Sequence, residues 1–215
     1  MAHTQLTLPY TLITPDYIPF EHKETLSAYA KRFCEHLLKT HEIHLDHPLF
    51  IGGYSMGGAI GIELTKYLPA RGLILIGSPL SSNDIGLIPR IFGRYVSGWL
   101  PLWGYRALDW LIAPVMRIYS GIGEYEVMLC VAMYRDLPRG LFRAAYYALS
   151  NWQGAKITVP SIRIHGVNDH IITCPKPRAD VIIIPNSKHL VGQTKAGLVN
   201  EAIQTFISGV MQDDR

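Results

Sequence analysis

The chain has 215 residues, of which 48% are hydrophobic and 17% charged, with a formal net charge of +3. That balance supports a sizeable core and excludes an intrinsically disordered chain. With no dense run of Lys or Arg, it gives no footing for nucleic-acid binding, and none is expected.

The three cysteines, Cys34, Cys130 and Cys174, are odd in number and lack metal-ligand spacing. They read as reduced thiols of a cytoplasmic protein. The N-terminus has no basic stretch followed by a long apolar run, so no signal peptide is expected. The most apolar stretch, residues 95–118, contains Arg106, Asp109, Pro101, Gly104 and Pro114. A bilayer-spanning helix rarely carries that combination, so no stable membrane insertion is expected.

In chain order, residues 10–14 form the first apolar run that reads as a strand. Leu26, Tyr29, Ala30, Phe33 and Leu37 then recur at helical spacing. Strands follow at 48–52 and 73–76. Residues 79–138 break the rhythm, being long and rich in aromatics, and read as a helical insertion. A helix at 141–152 leads back to strands at 161–165 and 181–184. Leu198, Ala202, Phe206 and Val210 mark a last helix. The strand runs are continuous rather than alternating, as in sheets covered on both faces. The pattern predicts an α/β fold: a mostly parallel sheet with helices on both faces. Its core comprises residues 1–79 and 138–215, with a helical cap at 80–137.

The most informative segment is Gly53-Tyr54-Ser55-Met56-Gly57, a G-x-S-x-G run between an apolar strand and a helical pattern. Such a turn lifts its serine to a helix N-terminus, where the dipole favours developing negative charge. The Met56 N–H can then donate to an oxyanion. A serine nucleophile needs a base, and the base needs an orienting acid. Asp169 follows the strand at 161–165, and His189 follows the strand at 181–184. Both sit at the sheet edge that carries Ser55, in the order Ser, acid, His. Asp84 is the alternative acid. His41, His44 and His47 are spaced by three, but they lie in a polar loop without a fourth ligand, so no metal is expected. His165 is expected to pack at its strand end, and His170 to be a bystander.

These residues resemble the α/β-hydrolase superfamily, particularly its small bacterial esterase-like members with a helical cap. The segments that carry the resemblance are Gly53 to Gly57, His165 to Asp169, and Ser187 to Leu190. It implies a serine hydrolase that needs no cofactor and cleaves a carboxylic ester or thioester of a small, largely apolar substrate. Tyr54, Trp99, Trp103 and Leu111 would line the substrate site. Arg90, Arg94, Arg106, Arg117, Arg135, Arg139 and Arg143 could steer an anionic substrate or an acidic carrier protein. The alternatives are a weak or inactive ligand-binding relative, or an acyltransferase or C–C hydrolase using the same three residues.

The front of the chain departs from the family pattern. Members normally carry two or three further strands, and the third leads into a loop that donates the second oxyanion N–H. Residues 10–14 read as the fourth strand, with the place beside them for the third left vacant. A natural chain starting before Met1, direct pairing in a contracted sheet, or residues 5–8 filling the place would each resolve this. In none of these is the second oxyanion donor identified.

Overall fold

The computed structural model describes residues 7–40, 43, 45–96, 127–128, 131–132 and 139–213. Among the described residues, four parallel strands form one sheet in sequential order: β1 (Leu49–Tyr54), β2 (Ala70–Ile76), β3 (Ser161–Gly166) and β4 (Val181–Ile184). The helices whose bounds lie within the described residues are α1 (Leu26–Lys39), α2 (Met56–Leu64), α3 (Leu87–Ile91), α4 (Arg139–Asn151), α5 (Val191–Thr194) and α6 (Ala196–Asp213).

β2 shows why its run is continuously apolar. Successive side chains point to opposite faces. Leu73 and Leu75 enter a core with α1, α2 and the end of α4, while Ile74 and Ile76 enter a second core with α6. Neither face is left to water. α1 begins at Thr25, whose side chain accepts from the Ala28 N–H at 3.2 Å. That satisfies one of the donors a helix start leaves free. Its buried stripe is Leu26, Tyr29, Ala30, Phe33, Cys34 and Leu37. On the opposite face, Val199, Ala202, Ile203 and Ile207 of α6 pack on Ile162, Ile164 and Ile184. Each fully buried aliphatic side chain contributes roughly 1.5–3 kcal/mol.

α4 is tied to α2 by a buried polar link. Trp152, just past α4, donates its indole N–H to Glu63 Oε1 at 2.7 Å, and Lys66 pairs with the other carboxylate oxygen. A buried carboxylate is tolerated only when it is engaged in this way.

The front of the chain corrects one expectation. Residues 10–14 form no strand, and Tyr10, Leu12 and Ile13 are exposed. Pro9 and Pro15 flank the run, and proline supplies no ladder N–H. β1 is an edge strand of the four, so the sheet has no internal gap and no contracted pairing with residues 10–14. Thr7 and Leu8 are also outside any strand. The Thr7 hydroxyl accepts from Asn200 of α6 at 2.9 Å, and Leu8 packs against the core on the α6 side of the sheet. Gln5 and Leu6 lie outside the described residues.

Within the expected cap, the described residues include a 3-10 turn at Ser82–Asp84, α3 and a π-helical turn at Phe92–Val96, and Ile85 makes an isolated antiparallel bridge to Ile172. Trp99, Trp103 and Leu111 lie outside the described residues. Among the described residues no helix is long and apolar enough to cross a membrane.

Candidate active site

β1 ends at Tyr54 and α2 begins at Met56, so Ser55 alone makes the turn. Its backbone takes φ 53° and ψ −119°, a conformation that costs a non-glycine residue on the order of 1–3 kcal/mol. Two features hold it there. The Ser55 N–H donates to Ile76 O at 2.9 Å, which ties the turn to the end of β2. A Cβ on Gly53 would lie 2.2 Å from the backbone of Gly57, so only glycine lets strand and helix cross so closely.

The candidate acid and base arrive from the ends of β3 and β4. Asp169 lies on the turn after β3. His189 lies between β4 and α5, on a loop where Asn186 takes a positive φ of 49°, as asparagine tolerates. The two loops touch: a Cβ on Gly166 would sit 2.3 Å from Lys188 O. Asn168 N–H donates to Ser187 O at 3.0 Å, and Val167 N–H to Ile184 O at 3.1 Å.

The structure brings Ser55, His189 and Asp169 together. His189 Nε2 lies 3.1 Å from Ser55 Oγ, and His189 Nδ1 lies 2.8 Å from Asp169 Oδ2. Both contacts are satisfied at once if Nδ1 carries the proton and Nε2 accepts from the serine hydroxyl. Asp169 is buried, with 6% of its surface exposed. Burial by itself would raise its pKa. Hydrogen bonds from His165 and His189, the charge of His189 and the Ile172 N–H outweigh that, and the carboxyl is held well below the usual range.

The other expected site residues fall as follows. Met56 is the first residue of α2, the position from which its N–H would face an oxyanion beside Ser55. Tyr54 directs its hydroxyl to the backbone carbonyl of His189. Its ring meets the imidazole edge-on, with centroids 5.7 Å apart, so it braces the histidine loop. Asp84, the alternative acid, is spent on its own turn, where Oδ2 accepts from the Leu80 N–H at 2.7 Å. Among the described residues no cluster of His, Cys, Asp or Glu could hold a metal ion. His47 is exposed and lies 3.7 Å from Asp46; His41 and His44 lie outside the described residues.

Two features escaped the sequence reading. His165 is 1% exposed and places Nε2 3.0 Å from Asp169 Oδ2; its place at the strand end was expected, its contact with the acid was not. Tyr17 reaches the elbow from the front of the chain. Its hydroxyl lies 3.0 Å from where a Cβ on Gly57 would stand, and no described residue hydrogen-bonds to it. Although 42% of Tyr17 is exposed, desolvation of the phenol raises its pKa above the ordinary value. Tyr17 also borders a cavity of about 400 Å³ between residues 17–23 and α4, lined by Phe20, Leu141, Ala144 and Tyr147 together with Glu21, His22, Lys23 and Arg143. Ser55, Asp169 and His189 do not line that cavity; Tyr17 is its link to the elbow.

The α/β hydrolase family model matches residues 7–202. No curated protein sequence matches the chain significantly. Among solved structures, an esterase from Thermogutta terrifontis aligns with a TM-score of 0.67 at 18% identity, covering 90% of this chain and 75% of the esterase. A hydrolase from Oleispira antarctica aligns with a TM-score of 0.67 at 14% identity, covering 88% and 75%. A bromoperoxidase from Bacillus anthracis aligns at 0.63 and 12% identity, covering 88% and 76%. At these identities the likeness is one of fold. The family match spans most of the sequence, and the chain belongs to the α/β hydrolase family.

Proposed function

We propose that this chain is a serine hydrolase that cleaves a carboxylic ester or thioester of a small, largely apolar substrate. The reading is carried by one observation. A hydroxyl on a strained strand–helix turn is joined through His189 to a buried carboxylate, with contacts of 3.1 and 2.8 Å.

In this reading Ser55 Oγ attacks the carbonyl carbon as His189 Nε2 takes the hydroxyl proton. Asp169 fixes the imidazole tautomer and stabilises the positive charge that forms. The Met56 N–H, at the positive end of α2, stabilises the oxyanion. His189 returns the proton to the departing alkoxide or thiolate, leaving an acyl-serine. Water, deprotonated by the same imidazole, then releases the acid and restores the serine. The family and the esterase-like fold support this reaction class. The cavity beside Tyr17 offers room for the apolar part of the substrate. The free thiols of Cys34 and Cys174 suit a reducing, cytoplasmic setting.

The test is covalent labelling with a fluorophosphonate, run beside hydrolysis of short-chain p-nitrophenyl esters. The wild type is expected to react at Ser55 and turn over the esters, and Ser55→Ala to do neither. An inert, folded wild type would favour a non-catalytic binding protein. Ester formed from an added alcohol in place of free acid would identify an acyltransferase.

A further inference from the structure

Asp169 holds two histidines. Its Oδ1 accepts from the N–H groups of Ile171 at 2.9 Å and Ile172 at 3.0 Å. Its Oδ2 faces His189 Nδ1 at 2.8 Å and His165 Nε2 at 3.0 Å. A carboxylate has about four lone-pair directions, so each is filled and none is left for water.

The second histidine has a fixed tautomer. His165 Nε2 also lies 3.2 Å from the carbonyl oxygen of Ile172. Both neighbours are acceptors, and a bare nitrogen lone pair facing two acceptors in a buried site would be repelled. Nε2 therefore carries a proton, shared between the Asp169 carboxylate and the Ile172 carbonyl. Ile172 in turn donates its own N–H to Asp169. The turn 169–172 is thereby closed onto the last residues of β3.

We propose that His165 is a positioning residue for the base: it clamps the Asp169 carboxylate in the one rotation from which Oδ2 meets His189. The backbone donors at Oδ1 pin only one oxygen and leave the carboxylate free to pivot about it. His165 supplies the opposing hold on Oδ2 from the rigid end of a buried strand. At the next residue, Gly166, the histidine loop passes so near that a Cβ would lie 2.3 Å from Lys188 O. Two adjacent residues of β3 thus orient the acid and admit the loop that carries the base. This inference rests on the serine hydrolase reading for its catalytic consequence, but not for its structural part.

The experiment compares His165→Gln, whose amide can place an N–H near Oδ2, with His165→Leu, which cannot. Two readouts are needed: steady-state kinetics on a p-nitrophenyl ester, and the far-downfield NMR resonance of the His189 Nδ1 proton. His165→Leu is expected to lower kcat by ~10- to 100-fold, the worth of one hydrogen bond to a charged group, with KM nearly unchanged. It should also move or broaden the downfield resonance. His165→Gln is expected to restore most of both. If His165→Leu does not fold, His165→Asn replaces it, since its amide falls short of Oδ2. Wild-type kcat and resonance in the Leu or Asn variant would overturn the proposal. So would a folded Gln variant that falls as far as Leu, because the role would then be the shape of the ring. If the wild type neither labels nor turns over, the hydrolase reading fails, and the resonance alone decides the role of His165.

Discussion

Asp169 joins stability to the proposed chemistry at a single side chain. Its folded pKa lies below the unfolded value of about 3.9, because donors outweigh burial. A depressed carboxylate stabilises the fold above its unfolded pKa, and that contribution is lost as pH falls toward the folded one. Urea midpoints should therefore decline as pH drops below about 4, and the decline should be shallower in Asp169→Asn. The same substitution presents an amide to His189 and favours the wrong imidazole tautomer. Ester hydrolysis near neutral pH should fall roughly 10,000-fold with little change in KM. A variant with intact catalysis would remove Asp169 from the proposed mechanism.

The strand–helix junction makes its own prediction at the scale of elements. β1 and α2 meet at an angle that leaves no room for a methyl group on Gly53. The obstruction is the backbone of Gly57 and Gly58, which no rotamer change relieves. Gly53→Ala is expected to force the two elements apart and abolish fluorophosphonate labelling of Ser55. The sheet and α6 contact each other elsewhere, so far-UV circular dichroism should remain close to wild type. Labelling at the wild-type rate would mean that the junction is softer than its geometry implies. The same scale explains the misread front of the chain. Residues 10–14 have the composition of a strand, but strand formation depends on a partner ladder, and β1 is not paired with them.

At the scale of the molecule, the sheet brings Ser55, Asp169 and His189 to one edge, while Tyr17 and α4 frame the cavity beside it. If that cavity receives the apolar part of the substrate, filling it should discriminate by chain length. Ala144→Trp is expected to raise KM several-fold for octanoyl esters and to leave acetyl esters nearly unchanged. Equal effects on both would place the acyl chain elsewhere.

Much of this was legible in the order of residues. Period and continuity gave the four strands, because burial on both faces demands uninterrupted apolar runs. The helices α1 and α6 followed from spacing, since a 3.6-residue turn repeats its buried face. The Ser, Asp, His order pointed to three strand ends on one edge, because parallel strands deliver all their C-termini to the same side. Local sequence could not say that residues 10–14 find no partner, that Tyr54 braces the histidine loop, or that Tyr17 reaches the elbow. Nor could it show that a second histidine grips the acid. Each of those depends on distances between segments far apart in the chain or folded back by a turn, and only the packed tertiary structure sets such distances.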